Sequence, residues 1–252
     1  MNLFILYNDP VKSAQAHGDK HVIKMILEAC QMLYTAHWTA SYPQLLTKTR
    51  LKLATPESLA TAPLSKAETR GYQAAHINHP CTKWIRASLE NYHYACDLGI
   101  SLGEEYTYRW GKTHACEEHV RWLKANPPPL PQIEKTPFAI AMDDEYKICD
   151  DAVESYRNYY LTAKKEKGLL VYTRRQAPSF LLCEGLLTTL NHPHQLLLRI
   201  GTIPRTPLPT ASPTTLPIRS TIRAIPLAIP PRIARARKKS CQKSCQGATK
   251  DD

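Results

Sequence analysis

Residues 19–38 are the segment that most constrains how this chain can fold. On a helical wheel, their apolar side chains cover well over half of the circumference and centre on Val22, Ile26, Ala29 and Leu33. The rest forms a narrow polar stripe, made of Lys20, His21, Lys24, Glu28, Gln31 and Thr35. A helix with so much apolar surface is largely buried, so we expect the polar stripe to line a cleft or contact a ligand. An ordinary solvated face is the alternative.

Three further helices are predicted from periodicity and from their end signals. One begins at His79-Pro80 and ends or bends before Gly111, and a short one spans residues 117–125. The last spans residues 143–167, ends at Gly168, and has an apolar stripe of Tyr146, Cys149, Val153, Tyr156 and Tyr160. Residues 1–7 suit a short buried strand or a first turn. With no internal repeat and no alternation of strands and helices, we predict an all-α fold with a short N-terminal strand.

Charge and proline are concentrated at the C-terminal end of the 252-residue chain. Residues 201–252 hold ten lysines and arginines against two acids, a net +8, so residues 1–200 carry +3 of the total +11. Eight of the twenty prolines lie there too. We therefore expect a compact helical domain over residues 1–190 and a disordered, proline-rich basic tail over residues 191–252. Because a solvated appendage explains this charge, the basicity is weak evidence that the folded part binds nucleic acid.

Cysteine usage and hydropathy bear on the compartment. Six cysteines are scattered through the segments predicted as helices without a CxxC pair, as is typical of reduced, buried thiols: Cys30, Cys81, Cys96, Cys116, Cys149 and Cys183. No apolar run approaches the roughly 18 residues of a membrane span. The first residues lack the basic and apolar regions of a secretory signal. We expect an intracellular protein, in the cytoplasm or nucleus, without a membrane partner.

The densest polar group lies at the start of the first long helix. Glycine-rich phosphate loops, GxSxG elbows and HExxH motifs are absent from the sequence, which has only nine glycines. Three chemistries could use the group. His17, Asp19 and His21 could bind a metal, although their spacing does not converge well on one helix. His21 or Glu28 could serve as acid or base for glycosyl transfer, with a lysine or terminal amine as nucleophile. Lys20, His21 and Lys24 could instead contact phosphate.

Three other clusters carry candidate contacts to a nucleic-acid backbone. In the first, Lys83 and Arg86 flank Trp84 just after His79-Pro80, although Trp84 itself is better explained as a core residue. In the second, Glu105 and Arg109 at i,i+4 favour a structural ion pair, with Lys112 nearby. The third is a basic turn, which either contacts phosphate or closes the domain, and contains Arg174 and Arg175.

The runs DKHVIKMILEACQML, NHPCTKW, EEYTYRWGKTH and TPFAIAM together resemble a set of small proteins of phages and large DNA viruses. Over residues 1–120, their order and spacing also resemble a divergent version of the pyrimidine-dimer DNA glycosylases. Lys20-His21 falls where that family has an Arg-Glu pair, and His79-Pro80 matches its helix-opening turn. Glu105-Tyr106 with Arg109 matches its later acidic, aromatic and arginine segment.

The resemblance implies an all-α DNA-repair enzyme that extrudes a base and attacks the sugar C1′ with an N-terminal amine. A Schiff base forms, and a glutamate drives glycosyl cleavage and strand scission. Two departures alter the assignment of residues. His21 replaces the expected glutamate, which leaves Asp19 or Glu28 as its substitute. Asn2 is too large for ready removal of Met1, so Met1, Lys20 or Lys24 would serve as nucleophile.

We therefore expect a base-excision DNA glycosylase and lyase acting on damaged or modified pyrimidines, with DNA as partner and no metal or other cofactor. The expected catalytic residues are Asp19, Lys20, His21, Lys24 and Glu28. The expected DNA contacts are His79, Lys83, Arg86, Arg109, Lys112, Arg174 and Arg175. Two alternatives stay open: a non-catalytic nucleic-acid-binding viral protein, and a metal-dependent nucleotide hydrolase.

Overall fold

The described part of the computed structural model, residues 1–48 and 51–182, contains seven α-helices and no β-strand. The helices are α1 (Pro10–Ala16), α2 (Asp19–Ser41), α3 (Pro80–Ala87), α4 (Leu89–Trp110), α5 (Glu117–Ala125), α6 (Ala152–Tyr159) and α7 (Ser179–Leu182). Three 3₁₀ turns, Pro43–Leu46, Glu57–Leu59 and Asp144–Tyr146, and one π-helical segment, Tyr160–Lys164, complete them. The predicted all-α class is confirmed. The predicted tail, residues 191–252, lies outside the described residues.

Helix α2 lies at the centre of the core, as its wide apolar arc predicts. Val22, Ile26, Ala29 and Leu33 are all fully buried. The helix packs against α3, α4 and α5, while α4 packs against α1, α3 and α5. Gly18 is the N-cap of α2, and an added Cβ there would lie 2.7 Å from the carbonyl oxygen of Leu169. The start of α2 therefore lies directly against the backbone that follows the π-helical segment.

The helix predicted from residue 80 to residue 110 is in fact two helices. Ser88 adopts an extended conformation between α3 and α4, and its hydroxyl accepts a hydrogen bond from the Asn91 amide at 3.0 Å. Serine is a favoured N-cap because its oxygen satisfies one of the unpaired amides of a new helix. The amide side chain of Asn91 donates to the Trp84 carbonyl at 2.7 Å and joins the two helices across the break.

The last predicted helix begins later than expected. Asp151 caps α6, with its carboxylate accepting from the Glu154 amide at 3.0 Å, so residues 147–151 are not helical. Cys149 is exposed with φ +46°, and the predicted apolar stripe is buried only from Tyr156 onward. Gly168 has φ +61°, as expected of a residue that ends a helix.

The predicted N-terminal strand is wrong, although its burial is right. The side chains of residues 3–6 are buried, but this segment pairs with no strand in the described part of the chain. Instead, the Leu6 amide donates to the Ser13 hydroxyl at 3.1 Å, and that hydroxyl donates to the Phe4 carbonyl at 3.3 Å. None of the helices in the described ranges combines the length and apolarity needed to cross a bilayer.

Candidate functional site

The first half of the polar stripe lines a cavity of about 520 Å³, as the sequence predicts. The stripe residues in its wall are Lys20, His21, Lys24 and Glu28. The other walls come from Met1 and Asn2, residues 141–143, and the segment between Tyr159 and Leu169. The second half of the stripe does not reach this cavity, because Thr35 is buried and donates to the Ala75 carbonyl at 3.1 Å.

The start of the chain lies on Glu28. The Met1 α-amine is 3.8 Å from Glu28 Oε2, and the backbone amide of Asn2 donates to the same oxygen at 2.6 Å. Lys24 Nζ lies 3.3 Å from the other carboxylate oxygen. Glu28 is 7% exposed, so its charge is held by these three nitrogen groups in a largely desolvated position. A carboxylate and a primary amine therefore face the same cavity.

Asn2 anchors the start of the chain to the far wall of the cavity. Its side-chain nitrogen Nδ2 donates to the Ala141 carbonyl at 2.7 Å. Its side-chain oxygen Oδ1 accepts from the Tyr156 hydroxyl at 2.9 Å and from the Leu3 amide at 2.8 Å. The Tyr156 hydroxyl in turn accepts from the Ala141 amide at 3.2 Å. These bonds fix the position of the preceding α-amine relative to Glu28.

His21 enters the cavity wall as a neutral ring. Burial lowers its pKa to about 3, with help from the nearby charges of His17, Lys164 and Lys24. Its Nδ1 is hydrogen-bonded to the Tyr160 hydroxyl at 2.8 Å, and its ring packs edge-on against Phe4 at 5.1 Å between centroids. Near neutral pH, the neutral His21 ring can donate or accept a hydrogen bond through Nε2, but it does not supply a positive charge.

The cavity carries more positive than negative groups. The Met1 amine, Lys20, Lys24 and Lys164 line it, against the carboxylates of Glu28 and Asp143. Lys24 is 67% exposed despite its contact with Glu28, so its ammonium group reaches solvent at the mouth. A concave surface with an excess of positive charge attracts anions such as phosphate groups.

Asp19 and Arg109 do not belong to this cavity. The Arg109 side chain is 0% exposed, with Nη1 2.8 Å from Asp19 Oδ1 and Nε 2.7 Å from Glu105 Oε1. Asp19 also accepts from the Thr173 amide and hydroxyl. Burial alone would raise the pKa of Asp19, but the hydrogen bonds from Thr173 and Arg109 outweigh it and lower that pKa. The structural ion pair favoured from the sequence is the one observed, and Arg109 has no exposed atoms with which to contact DNA.

The other predicted DNA contacts are dispersed. Arg175 is committed to Glu105 at 2.6 Å, and Arg86 is half-buried with its guanidinium donating to the Ile77 carbonyl at 2.6 Å. Three are exposed but do not line the cavity: Lys83, Lys112 and Arg174. His79 caps α3 by accepting from the Cys81 amide, and its pKa is lowered by burial and then by the charge of the Met1 amine. Among these residues, His79 adjoins the candidate site.

The metal-binding alternative finds no support in the described ranges. His17 is fully buried, and its Nδ1 donates to the Ser13 carbonyl at 2.6 Å. Asp19 is occupied by Arg109 and Thr173. No group of three or more histidine, cysteine or carboxylate side chains there could hold a metal ion.

Three residues of the site were missed by sequence reasoning. Asn2 was noted only for its size, and neither Lys164 nor Asp143 was assigned to a cleft. Each lines the cavity together with residues more than a hundred positions away, and this proximity leaves no local pattern in the sequence. No family model, no curated protein and no solved structure matches the chain. The candidate function therefore depends on the geometry and on the resemblance described above.

Proposed function

We propose that this protein is a DNA glycosylase and lyase that forms a Schiff base between the Met1 α-amine and C1′ of a damaged or modified pyrimidine nucleotide. The observation that carries the proposal is the 3.8 Å approach of that amine to Glu28 inside a cavity lined by three lysines. Schiff-base chemistry needs a primary amine, a group that moves protons beside it, and a contact for the phosphates of the substrate.

The reaction begins when the Met1 ammonium group gives one proton to solvent and becomes a neutral amine. Its nitrogen attacks C1′, the glycosidic bond breaks, and the bonding electron pair leaves with the base, which takes up a proton from solvent. Glu28 accepts a proton from the attacking nitrogen and returns it to the ring oxygen as the sugar opens to an iminium. Removal of a C2′ proton by the same carboxylate then expels the 3′ phosphate.

The surrounding residues have distinct roles in this scheme. Asn2 holds the amine through its bonds to Ala141 and Tyr156. Lys20 and Lys24 contact the DNA backbone at the cavity mouth. Neutral His21, fixed by Tyr160, offers a hydrogen bond to the sugar or the leaving base. Asp19, although predicted near the chemistry, stabilises the fold from outside the cavity.

Borohydride trapping on duplex DNA with one abasic site or one cyclobutane dimer tests the proposal. We expect a covalent adduct that mass spectrometry maps to the Met1 peptide. Acetylation of the N-terminus converts the amine to an amide and should abolish trapping. Adduct on Lys20 or Lys24 would show that the amine is not the nucleophile, and no adduct or nicking with either lesion would remove the lyase proposal.

The role of Glu28 is tested with a matched pair of variants. Glu28→Gln preserves shape and removes the proton acceptor, so we expect strand scission to fall by about 10²- to 10⁴-fold. Glu90→Gln is the control, because Glu90 is exposed and does not line the cavity. Equal activity of the two variants would contradict the assignment of Glu28.

The same experiments separate the non-catalytic alternative. A protein that only binds DNA would show affinity without adduct or nicking for every substrate. If removal of residues 201–252 then also collapsed the salt dependence of binding, the contact would be assigned to the basic tail rather than to the cavity.

A further inference from the structure

The π-helical segment Tyr160–Lys164 brings Lys164 to the cavity beside Tyr159, a residue from which an α-helix would turn it away. Both Tyr159 and Lys164 line the cavity wall, and Tyr160 bonds to His21 behind it. Such i→i+5 segments are rare and are found frequently at functional sites. The segment continues directly from α6, so the helix changes its geometry where it reaches the cavity.

The change of helical period determines where Lys164 lies. At 3.6 residues per turn, residues five positions apart are rotated by about 140° from one another. Here the Lys164 ammonium donates to the Tyr159 hydroxyl at 3.1 Å and lies 4.3 Å from the centre of the Tyr159 ring. The wider turn therefore brings Tyr159 and Lys164 to the same side, which faces the cavity.

The charge of Lys164 is not neutralised by a carboxylate within the described ranges. Its ammonium group contacts the Tyr159 hydroxyl and the faces of the Phe4 and Tyr159 rings, with the centre of the Phe4 ring at 5.4 Å. Aromatic faces attract an ammonium group but leave its remaining hydrogens available to an anion. By contrast, Lys24 already contacts Glu28, which reduces the charge it presents.

We propose that Lys164 binds one backbone phosphate of the substrate while Lys20 and Lys24 bind the next one, so that the cavity takes a nucleotide flanked by phosphates on both sides. The inference rests on the proposed function and deepens it by naming the substrate class. The two sets of lysines belong to different elements, α2 and the π-helical segment, that line the same cavity. A free nucleoside lacks both phosphates, and a nucleotide at the end of a strand lacks one of them.

The test combines protein variants with neutral phosphate analogues. Duplexes carry a stable tetrahydrofuran abasic analogue, with a methylphosphonate either 5′ or 3′ to it, and affinity is measured by fluorescence anisotropy. We expect each methylphosphonate to weaken binding of the unaltered protein by about 10- to 100-fold, as for loss of a charged hydrogen bond. Lys164→Ala should lose the same amount on the native duplex and become insensitive to one of the two analogues. Lys24→Ala should become insensitive to the other.

Two matched variants control for general effects. Lys167→Ala removes the same charge three residues further on, at an exposed position outside the cavity, and should bind as the unaltered protein does. Lys164→Arg keeps the charge and should restore most of the affinity. Lys164→Ala should also reduce the slope of log K against log salt by about 0.9.

Specific outcomes overturn the inference. Lys164→Ala could bind the native duplex as tightly as Lys167→Ala, or could keep its sensitivity to both analogues; either result shows that Lys164 contacts no phosphate. If Lys164→Ala alters the circular dichroism spectrum, the DNA affinities of Lys164→Arg and Lys164→Gln are compared instead, because both variants keep a long side chain and only Lys164→Arg keeps the charge. Fluorescence anisotropy measures binding and does not require the reaction to proceed. Failure of borohydride trapping would therefore remove the lyase proposal, while the phosphate contacts of Lys164 would still be decided by the binding measurement.

Discussion

Replacing Arg109 with methionine tests whether the buried ion-pair network holds the helices together. The guanidinium bonds Glu105, Asp19 and the carbonyl of Gln15, the last at 3.1 Å, and so links α4 to α1 and α2. Removing one partner of a buried pair costs about 3–5 kcal/mol, because it leaves an uncompensated buried charge. Both carboxylates keep another partner here, Arg175 and Thr173 respectively, so we expect about 3 kcal/mol.

Urea unfolding followed by circular dichroism measures this loss. With a slope of about 2 kcal/mol/M, the midpoint of Arg109→Met should fall by about 1.5 M. Arg121→Met is the matched control, because Arg121 is 49% exposed and its pairs with Glu104 and Glu117 lie at the surface. Exposed pairs contribute about 0–1 kcal/mol, so its midpoint should move by less than about 0.5 M.

Two results would refute the reasoning about Arg109. An unchanged midpoint would show that the network contributes nothing to the stability of the folded chain. A lower salt slope of DNA binding for folded Arg109→Met, by about 0.9, would show that the side chain reaches phosphate after all. Arg109→Lys keeps the charge but loses the forked geometry of the guanidinium. Its urea midpoint should therefore lie between those of the unaltered protein and Arg109→Met.

Three further predictions concern stability and the amine anchor. Burial depresses the pKa of His17 to about 4 and that of His21 to about 3, so the unfolded chain binds more protons than the folded one below pH 6.5. The free energy of unfolding should therefore fall as pH drops from about 6.5 towards 4, by up to about 1.4 kcal/mol per pH unit for each ring. His17→Gln should make the urea midpoint depend less steeply on pH, and a pH dependence as steep as that of the unaltered protein would contradict this. Gly18→Ala should lower the free energy of unfolding, measured by thermal denaturation, by about 1–3 kcal/mol, because its Cβ would meet a backbone carbonyl at 2.7 Å. Gly168→Ala is the control for the cost of positive φ, because a Cβ at Gly168 meets nothing within 4 Å. A larger loss of stability in Gly168→Ala than in Gly18→Ala would refute the clash. Tyr156→Phe should cost about 1–3 kcal/mol and slow borohydride trapping, because the Ala141 amide loses its partner and the Asn2 side-chain oxygen loses one of its donors. Trapping at the original rate would show that the anchor is dispensable.

The architecture was predictable wherever a local pattern carries it. The period of α2 predicted both its burial and the cavity beside Lys20, His21, Lys24 and Glu28, because amphipathicity is a property of one helix. The ends of the helices were predicted less reliably than their apolar faces. Ser88 is a favoured N-cap residue, but it lies within a continuous apolar period, and the period alone predicted one helix across it.

Long-range contacts account for what the sequence could not predict. The approach of Met1 to Glu28 spans 27 positions, and the anchor from Asn2 to Ala141 spans 139. Neither leaves a periodic signal, because each depends on how the helices pack. The same holds for Arg109, whose partners at residues 15, 19 and 105 include two from outside its own helix. The resemblance to glycosylases stays a prediction.

The resemblance to glycosylases covers only part of the cavity wall. It extends over residues 1–120 and so includes Glu28 and the polar stripe, but the groups that hold the amine in place come from residues 139–164. The Tyr156 hydroxyl touches both Asn2 and Ala141, and Lys164 completes the positive lining. A motif in the first half can therefore supply the reacting groups, but their geometry is determined only when the second half has packed against them. We therefore expect activity to depend as strongly on Tyr156 and the π-helical segment as on the polar stripe itself.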